Sequence, residues 1–276
     1  FVPTHGDEAI GWLSSGDASV IAGGTDFFPA HTEKPIRGDL VDITRIAGMS
    51  GISQRPDGSV RIGGATTWTT LAHSTLPPAF TALQAAAREV GSVQIQNAGT
   101  IGGNLCNASP AADGVPPLLI LEAEVEIAGP KGQRRVALDD FVTGVRQTRL
   151  GPGELLTAIH VPPVPGNRVS RFEKLGARRY LVISIAMTAV LLGLDAARRI
   201  DHIRLAVGSC AIKAQRLRVL EEKLVGQSPW DLVFSDKDLA PLTPITDVRA
   251  DADYRREAVA QHIRRAIATA AEALDG

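Results

Sequence analysis

The sequence predicts a mixed α+β chain in two parts, and three observations carry that prediction. Up to about residue 165, strand-like runs alternate with helix-like ones, and two of the strands end on a double glycine. A proline cluster at 162–166 then interrupts the pattern. Beyond it, three strand-like runs follow one another and lead into two helical regions.

Thr4 followed by Asp7 has the spacing of a helix N-cap, and "DEAIGWLSS" reads as a short amphipathic helix behind it. "SVIAGGTDFF" is an apolar strand running into Gly23–Gly24. "DLVDIT" and "SVRIGGATT" are further strands, the second meeting Gly63–Gly64, and Thr67 is placed to cap "WTTLAHS". Residues 77–90 carry proline near the start, alanine and leucine within, and Gly91 just after, which is helix punctuation at both ends. The stretch 95–119, "IQNAGTIGGNLCNASPAADGVPPLL", reads as a loop of more than twenty small or polar positions, far longer than an ordinary connection. "AEVEIAGPKGQRRVAL" is a pair of alternating strands around a Gly-Pro-Lys-Gly turn, and "ELLTAIHVP" is a strand closed by "PPVPGN". After the prolines come the strands "RVSRFEKLG", "ISIAMTAVLLGLD" and "HIRLAVGSC", then helical regions at 213–226 and 252–274. In the last helix Tyr254, Ala258, Val259, His262, Ile263, Ala266, Ile267, Ala270 and Leu274 fall on one face.

Composition removes several function classes. The 276 residues suffice for one large domain or two modest ones, and 44% hydrophobic with 21% charged residues is ordinary for a globular protein. A net charge of −1 gives no broad nucleic-acid footprint. The local clusters "KGQRR" (131–135) and "GARRY" (176–180) read as solvated faces. No apolar run reaches the roughly 18 residues of a membrane span. "LVISIAMTAVLLGL" (181–194) is shorter and reads as a buried strand or core helix. Cys106 and Cys210 lie far apart without a CxxC, which argues against a disulfide scaffold or a cysteine-ligated cluster in this chain. Reduced thiols in a cytoplasmic protein are the expectation, with no signal peptide visible. The six histidines show no HxxxH or HExxH spacing and read as structural. Because the chain begins at Phe1, a few residues are expected to precede it.

Two glycine-rich turns carry the chemistry: "AGGTDF" (22–27) and "GTIGGN" (99–104). Glycine lets a ligand approach the main chain, and successive exposed amides form a nest for phosphate or pyrophosphate. Thr25, Thr100 and Asn104 add side-chain donors, and no Lys or Arg lies in either turn. Neither turn fits GxGxxG or GxxxxGK[ST]. On spacing alone the pair either binds a nucleotide or serves only the geometry of two tight turns. Trp12, Trp68 and Trp230 read as packing residues, and Cys106 and Ser109 as structural neighbours of the second turn.

"VIAGGTDFFP", followed some seventy residues later by "VGSVQIQNAGTIGGNLCNASPAADGVPPLL", closely resembles the FAD-binding medium subunit of molybdenum hydroxylases. That family includes carbon monoxide dehydrogenase, xanthine dehydrogenase and related bacterial enzymes. "RFEKLGARRYLVISIAM" is similar to the opening of the family's C-terminal domain, and "DADYRREAVAQHIRRA" to its final helix. The resemblance implies a two-subdomain FAD-binding fold of the vanillyl-alcohol-oxidase/PCMH type over 1–165 (about 1–48 and 49–165). A smaller C-terminal domain with a three-stranded antiparallel sheet and helices would fill 166–276. It further implies a first flavin turn of Ala22, Gly23, Gly24, Thr25 and Asp26, flanked by Ile21 and Phe27, and a second of Thr100, Ile101, Gly102, Gly103 and Asn104. Asp113, Leu155 and Lys174 match further positions that contact the cofactor, whereas Val90 stands where some relatives carry an aromatic residue.

The resemblance also implies a division of labour. A large molybdopterin subunit oxidises the substrate, and a small subunit with 2Fe-2S clusters passes electrons singly. The present chain would collect them on FAD and reduce NAD+, oxygen or a quinone, within a dimer of heterotrimers. No catalytic acid, base or metal ligand is assigned to it. With only Cys106 and Cys210, the extra cluster of the 4-hydroxybenzoyl-CoA reductase subfamily is excluded. Two other readings remain at this stage: a stand-alone FAD-dependent oxidase or dehydrogenase, and a flavin-free nucleotide-binding assembly module.

Overall fold

The structure is a computed structural model that describes residues 1–33, 35–178 and 183–274. It begins with α1 (Gly6–Ser15) and a parallel pair, β1 (Ala18–Ile21) and β2 (Asp39–Asp42), joined through the single turn α2 (Phe27–Ala30). The N-cap of α1 is His5 rather than Thr4. Thr4 instead donates its backbone amide to Glu8 Oε2 at 3.1 Å, so the capping contact is supplied by the carboxylate.

The antiparallel strands β3 (Ile52–Gln54) and β4 (Val60–Gly63) follow, then α3 (Trp68–Ala72), capped by Thr67 as its position predicts, and α4 (Thr81–Glu89). The stretch expected to be one long loop is largely helical: α5 (Val93–Ala98), α6 (Ile101–Asn107) and α7 (Val115–Ile120). Its glycines and prolines hid this, because Pro116 and Pro117 sit in the first turn of α7, where a missing N–H costs nothing. The hairpin β5 (Glu124–Gly129) and β6 (Gly132–Ala137) comes next, then α8 (Leu138–Phe141), the small hairpin β7 (Val142–Gly144) and β8 (Gln147–Thr148), and β9 (Leu155–Val161). Strands β3-β4-β9-β5-β6 form one antiparallel five-stranded sheet.

Past the prolines lie β10 (Val169–Leu175), β11 (Ala186–Leu194) and β12 (Ile200–Gly208), the three long antiparallel strands expected there. A two-residue fourth, β13 (Gln215–Arg216), pairs with β12. It occupies the start of the region read as helix from 213, and α9 runs only over Arg218–Leu224. The chain closes with α10 (Ala252–Ala273).

β11 shows why its sequence is apolar without interruption. Successive side chains point to opposite faces, and both faces are covered. Ala189 and Leu191 join the core of the N-terminal portion, whereas Val190 and Leu192 join a second core with Val259, Ile263 and Ile267 of α10. The sheet is thus held between α10 and the helices α4 and α7. On α10 the apolar face matches the helical period except at its start: Tyr254 is 49% exposed and Arg255 is buried. The Arg255 guanidinium donates to Asp247 Oδ1 at 2.8 Å and to backbone oxygens, which makes its burial tolerable. Trp68 is core, but Trp12 stacks on Phe1 at the surface and Trp230 is half exposed. "KGQRR" is exposed, while Arg179 and Tyr180 of "GARRY" and the first two residues of the 181–194 run lie outside the described residues.

His262 sits 5% exposed on the packed face of α10, and its Nδ1 has no partner among the described residues. Burial holds its pKa below the ordinary 6.5. The folded state therefore prefers the neutral ring, so its full contribution to stability is present above about pH 6.5 and is lost as the pH falls through and below that value. His160 and His202 are shifted in the same direction, also by burial. Replacing His262 with leucine should flatten, without abolishing, the fall in thermal midpoint between about pH 7.5 and about pH 5.5. An unchanged slope would show that the ring does not titrate with unfolding.

Candidate functional site

The two glycine turns meet in one cleft of about 620 Å³, within the roughly 300–1,000 Å³ typical of ligand sites. Ile21 through Phe27 line one side, and Thr100, Gly102, Gly103 and Asn104 line another. The first turn leaves β1 and doubles back into α2. A Cβ on Gly23 would sit 1.9 Å from the carbonyl oxygen of Ala98, so this residue must be bare for the turn to lie against the end of α5. Gly24 has φ +68 and would drive a Cβ into the Phe28 ring at 2.5 Å. Among the described residues, the amides of Gly23, Gly24, Thr25 and Asp26 and the hydroxyl of Thr25 have no protein acceptor. These are donors in search of an anion.

The second turn differs from the expectation. It is the capped start of α6, and its amides are already used. Thr100 Oγ1 accepts from Gly103 N at 3.1 Å, Ile101 N donates to Thr66 O at 3.0 Å, and Gly102 N donates to Gly64 O at 2.9 Å. Its two glycines do separate jobs. A Cβ on Gly102 would meet Gly64 O at 2.4 Å, so that residue lets the helix touch the end of β4. A Cβ on Gly103 would meet only Thr100 Oγ1, at 2.9 Å, and Gly103 is exposed to the cleft. Its bareness therefore leaves room for a ligand. Asn104 turns Oδ1 to Gly114 N at 3.3 Å, leaving its side-chain NH2 without a partner among the described residues.

The other expected residues divide. Leu155 and Val90 line the cleft. Ile101 is fully buried and packs in the core beneath α6. Asp113 and Lys174 are not in the lining; they form a 2.9 Å ion pair just behind it. Ser184 Oγ donates to Asp113 Oδ1 at 3.1 Å, and Lys174 Nζ also donates to Glu89 O at 3.0 Å. Burial pushes the Asp113 carboxyl above the usual range, while Lys174 and Ser184 pull it back. Cys106 lines the cleft with its thiol pushed up to about 12 by burial, so it is neither a thiolate nor a nucleophile. Trp68 and Arg146 also line the cleft, unsignalled by any motif. A tryptophan that is 2% exposed can still present an edge to a ligand.

Unpaired amides on one wall, a bare Cα on the other and an apolar lining of Trp68, Val90, Leu155 and Leu156 suit a dinucleotide with a diphosphate and flat rings. The class this defines is an FAD-binding domain, and the comparisons agree. The family model for the FAD-binding domain in molybdopterin dehydrogenase matches residues 1–164, and that for the CO dehydrogenase flavoprotein C-terminal domain matches 171–270. The xanthine dehydrogenase FAD-binding subunit of Escherichia coli O157:H7 is 33% identical over 98% of this chain and 94% of its own length. The carbon monoxide dehydrogenase medium chain of Hydrogenophaga pseudoflava is 32% identical over 94% and 90%. A reconstituted CO dehydrogenase from Oligotropha carboxidovorans superimposes with a TM-score of 0.87 at 29% identity, covering 98% of this chain and 96% of that one. The chain belongs to the FAD-binding medium subunits of the molybdenum hydroxylase family, the flavoprotein subunits of carbon monoxide and xanthine dehydrogenases, and is an oxidoreductase subunit.

Two substitutions separate packing from binding. Gly103→Val should keep a folded circular-dichroism spectrum, with some loss of thermal midpoint because its Cβ crowds the capping Thr100 Oγ1, yet abolish retention of FAD on purification. Normal FAD content in a folded variant would contradict this geometry. Lys174→Met leaves a buried carboxylate unpaired and should cost about 3–5 kcal/mol in urea unfolding near neutral pH. A loss below about 1 kcal/mol would mean that the pair is solvated.

Proposed function

We propose that this chain is the electron-transferring flavoprotein subunit of a three-subunit molybdenum hydroxylase. It would take electrons from 2Fe-2S clusters on a small partner subunit and deliver them to NAD+, oxygen or a quinone, while a molybdopterin-bearing large subunit oxidises the substrate. The single observation that carries this reading is the cleft shared by the 22–27 turn and α6, with donors on one wall and open space on the other. When bound, FAD supplies a two-electron store that can be filled one electron at a time.

The roles of this chain's residues follow from their surroundings. The amides of Gly23, Gly24, Thr25 and Asp26 hold the diphosphate, with the hydroxyl of Thr25 and the side-chain NH2 of Asn104 as further donors. Ile21, Ala22 and Phe27 flank that turn, and Gly102 with Thr100 and Ile101 braces the opposite wall. Val90, Leu155 and Trp68 cover flat ring surface and keep water from it. Asp113 and Lys174 support the wall through their ion pair. No side chain is required to move a proton.

The FAD-binding domain occupies 1–165 and the C-terminal domain 166–276 in this reading, and the complex is a cytoplasmic dimer of heterotrimers. In the described residues no helix is long and apolar enough to cross a membrane. The names of the curated relatives, which are those of subunits and chains, weigh against a stand-alone oxidase.

Affinity purification from the native source should recover an iron–sulfur chain and a molybdenum chain with this one. The isolated chain should be yellow and unable to oxidise substrate, whereas the complex should show substrate-dependent flavin bleaching. Substrate turnover by the isolated chain, or a colourless chain that cannot be reconstituted with FAD, would overturn the proposal.

A further inference from the structure

Arg146 enters the cleft from a part of the chain that neither glycine turn announces. It is the second turn residue of the β7–β8 hairpin, between the paired Gly144 and Gln147. Its φ is +54, a conformation that glycine or asparagine adopts at lower cost and that costs another residue about 1 kcal/mol or more. Two contacts hold it there. Its amide donates to Ala108 O at 2.9 Å, and its guanidinium donates to Asn107 Oδ1. Both acceptors belong to the C-terminal end of α6, where Ala108 itself turns left-handed with φ 46. An arginine is thus kept in a strained turn and tied to the helix that forms one cleft wall.

The charge inventory of the lining gives that placement a purpose. Among the described residues the lining contains no lysine and no arginine other than Arg146. Its carboxylates are Asp26 and Glu154, and Glu154 is already engaged by Arg134 at 2.7 Å and by Gly151 N at 2.8 Å. Asn107 is a neutral partner, and among the described residues no carboxylate pairs with the guanidinium. A diphosphate met only by neutral amides lacks a counter-charge, and a guanidinium offers a planar, permanently charged fork.

We propose that Arg146 is a further cofactor-binding residue whose guanidinium meets an electron-rich group of the dinucleotide. This rests on the FAD reading of the cleft. That group is either the diphosphate or the N1–C2=O edge of the flavin ring, which gains negative charge on reduction, and the experiment tells them apart.

Full-length protein stripped of FAD is titrated with FAD and separately with ADP, in wild type, Arg146→Gln and Arg146→Lys. Circular dichroism and thermal midpoint serve as fold controls. The glutamine variant should bind FAD about ten-fold more weakly, which is about 1.4 kcal/mol, with a shallower salt dependence; lysine should restore much of the loss. Parallel weakening of ADP locates the contact at the diphosphate. Unchanged ADP affinity with a lower flavin midpoint potential locates it at the ring. Wild-type FAD affinity, salt dependence and potential in a folded Arg146→Gln protein would overturn the inference and leave the FAD reading intact. Failure of the wild-type chain itself to take up FAD would overturn both.

Discussion

Backbone pressed against backbone is the constraint on which the rest of this structure depends. Segments approach so closely that no side chain fits between them, and three of these contacts build the cleft. Gly63 lies against Met49, Gly102 against Gly64, and Gly23 against Ala98. The first seats β4 against the 49–50 turn, the second seats α6 on the end of β4, and the third brings the 22–27 turn onto the end of α5. Together they place a flexible-looking turn and a helix start on facing walls of one cleft. Any Cβ at these positions would push the walls apart by more than an ångström, and the spacing for a flat dinucleotide would be lost.

The same economy explains how donors are allotted. A helix start has orphan amides, which a capping side chain, neighbouring backbone or a bound anion can satisfy. In α6 they are satisfied by Thr100 and by the 64–66 segment instead. That fixes the helix rigidly and leaves the binding work to the 22–27 turn, whose amides lie in neither helix nor sheet. One wall is therefore a braced surface and the other a set of free donors. Their combination needs less charge than a lysine-bearing phosphate loop, and Arg146 adds charge from outside both.

The two portions of the chain are joined by more than apolar packing. Asp113, Lys174 and Ser184 connect them behind the cleft, and Glu122 bridges to Arg204 at 2.6 Å and to Arg216 at 2.9 Å. Such buried or half-buried ion pairs add little net stability over an apolar core, but they specify one docking arrangement, because any other leaves a charge without its partner. The consequence for the site is positional. Val90, Ala112 and Ile183, which line the cleft, are chain neighbours of Glu89, Asp113 and Ser184, which the interaction fastens.

Local features were legible in the sequence because their causes are local. The glycine pairs, the Thr67 cap, the β5–β6 hairpin, the apolar runs of the long strands and the stripe along α10 all arise from residues a few positions apart. The 95–119 stretch reads as loop in sequence yet folds as helices, because small residues and prolines serve both loops and short packed helices, and only burial distinguishes them. Tyr254 and Arg255 exchanged places because a helical stripe cannot say whether an arginine will find carbonyls to receive it. Which amides are free, whether Asp113 faces a ligand or Lys174, and that Arg146 reaches the cleft were decided by tertiary structure alone. Each depends on a partner tens of residues away, and sequence spacing carries no information about a contact that folding has yet to make.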